Sequence, residues 1–156
     1  MGRLAPVARY SSIRVVISLV AKKGWRVHQM DVKTAFLNGV VEEEVYIEQP
    51  ERFEVGSRET HVCRLRRALY GLKQAPQAWH LRIDNYLREM GFKQSKADPN
   101  LYFLAGEVPL ILVLYIDDLF LTGDEQLIAD CEANLVAKFE MKDLGLMHYF
   151  LGLEVW

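Results

Sequence analysis

VPLILVLYIDDLFLT, residues 108–122, decides the fold. The apolar stretch Val108 to Ile116 and the run Leu119 to Thr122 are rich in β-forming residues, and only Asp117 and Asp118 separate them. Two strands joined by a tight hairpin are expected, with the aspartate pair at its tip. Just upstream, after an Asp98-Pro99 turn, Leu101 to Leu104 reads as a third strand, and Ala105, Gly106 and Glu107 connect it to the second.

Working outward, apolar spacing changes to the helical period. Ile13, Val16, Ile17 and Val20 share one face of a helix that Ser11 and Ser12 can cap and Gly24 can stop. Pro76 suits the first turn of a second helix, along which Trp79, Ile83, Tyr86, Leu87 and Met90 recur before Gly91. A third helix carries Leu127, Cys131, Leu135 and Phe139. Trp25 to Asp31 is extended, with Val27, Gln29 and Asp31 on one face, and Glu44 to Pro50 is a second extended piece followed by a polar loop over residues 51–60. A final strand alternates Met147, Tyr149, Leu151, Leu153 and Val155. Strands grouped with helices between them predict an α+β domain, an antiparallel sheet packed on helices.

A chain of 156 residues that is 51% hydrophobic is expected to form one domain with a true core. The net charge of −2 argues against coating nucleic acid by bulk attraction, so any such contact must be local. A local basic segment exists: no acidic residue falls between Glu59 and Asp84, while Arg64, Arg66, Arg67, Lys73 and Arg82 do. Such a segment can hold phosphates without reading bases, or be a solvated surface. Tyr70, beside Gly71, can stack on a base or pack in a core. Cys63 and Cys131 lie far apart with no CxxC pair and suit free thiols. Neither a signal peptide nor a membrane span is expected, because the longest apolar run holds Pro109 and stops at two aspartates.

The carboxylates carry the chemistry. Asp31 ends one strand and Asp117 lies in the hairpin, so they meet only if those strands are neighbours. Two or three carboxylates in one small volume either raise their pKa values or capture a hard divalent cation, for which magnesium is the natural choice. The competing reading of Asp117 and Asp118 is plain turn chemistry. Adjacent strand residues point to opposite faces, so only one of the pair can share Asp31's face, and Asp117 is the expected one.

Taken in order, APVAR (5–9), QMDVKTAFLNG (29–39), LYGLKQAP (69–76), YIDD (115–118), FEMKDLG (139–145) and FLGLEV (150–155) are similar to the motifs of Ty1/copia-type retrotransposon reverse transcriptases. The likeness covers nearly the whole chain. It implies a single palm domain over residues 1–156, a piece of a longer Pol polyprotein with fingers incomplete and thumb absent. It implies RNA-directed DNA polymerase activity, joining deoxynucleoside triphosphates to a primer 3′ hydroxyl. Asp31, Asp117 and Asp118, with the backbone of Val32, would then hold two Mg2+ ions, with Mn2+ a possible substitute. The resemblance assigns Phe36, Tyr70, Gly71, Lys73 and Gln74 to the nucleotide, Phe36 by excluding ribose 2′-hydroxyls. It assigns Arg64, Arg66, Arg67, Pro76, Tyr115, Leu151 and Gly152 to nucleic acid, the last two in a primer-gripping strand pair. Lys142 is weighed as a general acid and set aside as an exposed turn lysine.

Implied partners are an RNA template, a DNA primer or RNA–DNA hybrid, and the remaining Pol segments: integrase, fingers, thumb and ribonuclease H. No membrane is implied. The implied location is the cytoplasm, within virus-like particles. Two other classes stay open: a catalytically silent remnant that binds nucleic acid or a partner, and a metal-dependent nuclease or phosphatase built on the same carboxylates.

Overall fold

The continuous apolar runs Leu110 to Leu114 and Leu119 to Leu121 put apolar side chains on both faces of their strands, and the rest of the chain supplies the cover. The computed structural model describes residues 5–57, 59–150 and 152–154. In chain order, helix α1 (Tyr10–Lys23) leads to strand β1 (Val27–Val32) and a 3-10 turn over Ala35–Asn38. Short strands β2 (Tyr46–Ile47) and β3 (Cys63–Arg64) precede helix α2 (Ala75–Glu89). Strands β4 (Lys93–Gln94), β5 (Leu101–Leu104), β6 (Leu110–Tyr115) and β7 (Asp118–Gly123) follow. Helix α3 (Glu125–Lys138) leads to β8 (Met141–Leu146), β9 (Tyr149–Phe150) and β10 (Leu153–Glu154). The main sheet has the order β4-β5-β6-β7-β1-β8, every neighbour antiparallel, and β2–β3 and β9–β10 are separate two-stranded pieces. The mixed α/β chain with an antiparallel sheet is as expected.

The two faces of the sheet are covered differently. Met30, Val32, Leu112, Leu114, Leu119 and Leu121 point toward α2 and α3, where they meet Trp79, Ile83, Leu87, Ile128 and Leu135. Trp79, Ile83 and Leu87 each contribute about 1.5–3 kcal/mol when fully buried, which holds α2 on the sheet. The residues in between, Val27, Val113 and Phe120, face the other way and pack under Ile13, Val16 and Val20 of α1. Among the described residues, no helix is long and apolar enough to cross a membrane.

Three local expectations are corrected. Helix α1 starts ahead of the serines: Arg9 is its N-cap and no side chain caps it. The Arg9 N–H is already tied to Asp98 Oδ2 at 2.8 Å, which fixes the entry of the helix before Ser11 is reached. Lys142 lies in a strand rather than a turn: β8 forms the sheet edge beside β1. The expected continuous strand after Met147 is instead the tight β9–β10 hairpin, with Gly152 at φ +77 in its turn. Leu151 and Val155 lie outside the described residues.

Cys63 and Cys131 are both free thiols, and burial pushes the Cys131 thiol up to about 12. Gly123, at φ +125, ends β7 where a Cβ would lie 1.8 Å from the carbonyl oxygen of Pro109. At Gly145, φ is +73 but no atom lies within 4 Å of the added Cβ. Gly123→Ala is therefore expected to lose about 3 kcal/mol or more in urea denaturation, against about 1 kcal/mol for Gly145→Ala. Equal losses would mean that backbone φ, not the close approach to β6, sets the need for glycine.

Candidate active site

Strand β1 lies between β7 and β8, and this places Asp31 at the middle of a lateral row. Register pairs Asp31 with Asp118 on β7 and with Lys142 on β8, while Asp118 pairs with Tyr115 on β6. Directly opposed residues of antiparallel strands share a face with Cβ atoms about 4.5–5.5 Å apart, so Tyr115, Asp118, Asp31 and Lys142 line up on one side of the sheet. That is the face α1 covers further along, over Val27 and Phe120. Asp31 and Asp118 sit beyond that apolar cluster and are half-buried.

The strand period selects Asp118, not Asp117, as the residue across from Asp31. The reason is the length of the hairpin: Tyr115 pairs with Asp118, so Ile116 and Asp117 form a two-residue loop. Ile116 adopts φ +58, as the first loop position of a type II′ turn requires, although a β-branched side chain rarely does so. Asp117 stays within electrostatic reach of Asp118 from the turn. The Val32 N–H donates to the Asp117 carbonyl at 2.9 Å, which ties the end of β1 to the turn.

Burial pushes the Asp118 carboxyl above its ordinary range, Gln29 opposes this by donating to Oδ1 at a long 3.4 Å, and the charges of Asp117 and Asp31 push it further up. Among the described residues, no lysine or arginine is ion-paired with any of the three carboxylates. Nor do three His, Cys, Asp or Glu side chains among them converge into a ready-made metal cage. The donors present are hard oxygens with unbalanced negative charge. They fit Mg2+, which usually takes one or two carboxylates and fills its remaining positions with water and substrate phosphate.

The other expected residues divide into two groups. Phe36, on the 3-10 turn that follows β1, meets the Tyr70 ring at 4.5 Å between centroids and packs against the core cluster under α2 and α3, so these two are brought together. Gly39 holds that turn against α2, since a Cβ there would lie 2.8 Å from that of Ala78. Gly71 follows Tyr70 at φ +92, Lys73 is exposed, and Pro76 lies in the first turn of α2. Gln74 turns away and donates to Glu43 at 3.2 Å, beside a groove of about 440 Å³ on the outer side of α2 that also takes in Arg82. Arg64 pairs with Glu44 at 3.1 Å on the surface, a contact worth little, while Arg66 and Arg67 are exposed. Gly152 is exposed in its own hairpin.

Sequence reasoning missed that Lys142 is a strand residue facing Asp31. The signal in the sequence was short: apolar Phe139 and Met141 alternate with polar Glu140 and Lys142 for four residues only.

The family model described as "Reverse transcriptase (RNA-dependent DNA polymerase)" matches residues 2–156. The Pol polyprotein of transposon TNT 1-94 from Nicotiana tabacum is 43% identical over 97% of this chain, which spans 12% of that protein. The Pol polyprotein of transposon RE1 from Arabidopsis thaliana is 41% identical over 96% of the chain, which spans 10% of it. The Gag-Pol polyprotein of transposon Ty1-BR from Saccharomyces cerevisiae is 24% identical over 99% of the chain, which spans 9% of it. No solved structure matches the chain.

Because the folded state holds the Asp118 proton to higher pH than its ordinary 3.8, ionised Asp118 lowers stability at neutral pH, and the cost fades as pH falls through that window. Asp118→Asn is expected to raise Tm near neutral pH in chelator, with the gap closing toward about pH 4. A lower Tm for the variant at neutral pH would contradict the uncompensated charge.

Proposed function

The chain belongs to the reverse transcriptase (RNA-dependent DNA polymerase) family as it occurs in copia-type elements, and from that premise we propose that it is the polymerase palm of a Pol polyprotein. It copies RNA into DNA by two-metal nucleotidyl transfer. One observation carries the reading: Asp31 and Asp118 stand side by side on β1 and β7 with Asp117 adding a third charge beside them, and no lysine or arginine among the described residues is ion-paired with any of the three.

Two Mg2+ ions held by Asp31, Asp117, Asp118 and the Val32 carbonyl would activate the primer hydroxyl and stabilise the oxygens entering and leaving phosphorus. The protein's own part is positional. The β1–β7 ladder sets the lateral spacing of the carboxylates, and the hairpin presents them at the rim of the sheet. Phe36, leaning on Tyr70, would read the sugar edge, and exposed Lys73, Arg66 and Arg67 would offer charge to phosphates. Tyr115 and the β9–β10 hairpin, with Leu151 and Gly152, would lie against the primer. Template, primer and deoxynucleotides are the substrates, further Pol segments the partners, and virus-like particles in the cytoplasm the setting.

Primer extension on an RNA template, by the chain joined to polyprotein fingers and thumb, tests the reading. Asp31→Asn, Asp117→Asn and Asp118→Asn should each cut extension roughly a thousandfold, since several kcal/mol of charge stabilisation goes with the ions. No extension by the unsubstituted protein would favour a silent remnant, and degradation of the template strand would favour a nuclease.

A further inference from the structure

We propose that Trp79 is a positioning residue for the carboxylate hairpin, its indole N–H fixing the strained turn at Ile116 from beneath the sheet. The proposal rests on the metal-site reading only for its functional consequence.

The turn needs holding. Ile116 is β-branched and at φ +58, a conformation that suits glycine, and its side chain is 45% exposed, so its own burial does not secure it. What fixes the loop is its backbone partners. The Val32 N–H donates to the Asp117 carbonyl at 2.9 Å, and the Trp79 Nε1–H donates to the Ile116 carbonyl at 3.0 Å. Trp79 can act as a rigid donor because it is only 1% exposed and its ring meets Phe139 edge-on, at 5.3 Å and 83°. A phenylalanine would supply most of the same apolar contact with α3 and the sheet. The indole adds a donor that must find a partner when buried, and it is spent on the one turn carbonyl next to the aspartates.

The 156-residue chain is compared with Trp79→Phe, Ile83→Val and the double variant Trp79→Phe/Ile116→Gly, by Mn2+ titration in electron paramagnetic resonance and by amide hydrogen exchange. Trp79→Phe is expected to weaken Mn2+ binding about tenfold, the usual effect of losing a group that orients metal ligands. It should also speed exchange at Asp117 and Asp118. Ile83→Val trims the same core face of α2 and should lower Tm while leaving both readouts unchanged. Glycine tolerates the turn without help, so adding Ile116→Gly should recover most of the loss.

Unchanged hairpin exchange in Trp79→Phe, or no recovery in the double variant, would overturn the proposal. If the unsubstituted chain binds no Mn2+, the metal-site reading fails instead, and the exchange comparison alone decides the role of Trp79.

Discussion

The register between β1 and β7 is the constraint on which the rest depends. Asp31 meets Asp118 only because Met30 is paired with Leu119 and Gln29 with Phe120. A slip of one residue would turn Met30 and Val32 out of the core and drive Asp31 under α2 and α3. Burial of those apolar side chains thus fixes the carboxylate pair, although neither aspartate contributes to the core. The same pairing explains why distant parts of the chain build one site: β1 inserts between β7 and β8 and brings Asp31 alongside residues that follow it by most of the chain.

The site is set against the stability of its surroundings. Three like charges gather at one sheet rim, Asp118 is partly buried among them, and the turn that carries Asp117 holds a β-branched residue at positive φ. Each feature is unfavourable alone, and together they persist because two apolar layers enclose the same strands. Strain and unbalanced charge concentrated at one place in an otherwise well-packed domain is what a functional site looks like in physical terms.

What the sequence made legible follows the strength of each local signal. The hairpin at 115–118 and helix α2 were readable because long apolar runs and a 3.6 period are hard to mimic. β8 was not, because its polar residues and a ladder irregularity between Gln29 and Met30 blur the alternation that Phe139 and Met141 begin. Choosing Asp117 over Asp118 failed on a single unknown, the loop length. Nothing in an isoleucine announces that it will take the position glycine usually holds, and that choice decides which aspartate leaves the turn and enters the strand. The pairing of Gln74 with Glu43 was equally hidden, since it joins two loops that only the folded chain brings close.

Lys142 shows how far the row argument reaches. As a turn lysine it would have no fixed relation to Asp31, but as the β8 partner of Asp31 it shares that residue's face at a spacing the ladder imposes. The row therefore runs from an aromatic ring through two carboxylates to a cation, across four strands, each one hydrogen-bonded to the next. Because lateral spacing in a sheet is set by backbone bonds rather than by side-chain flexibility, the polar groups keep their order even where they are exposed. The polar groups at the rim of this sheet are thus positioned by the same ladder that orders the core beneath them, whereas the two-residue loop at Ile116 and Asp117 also depends on the Trp79 indole from outside it.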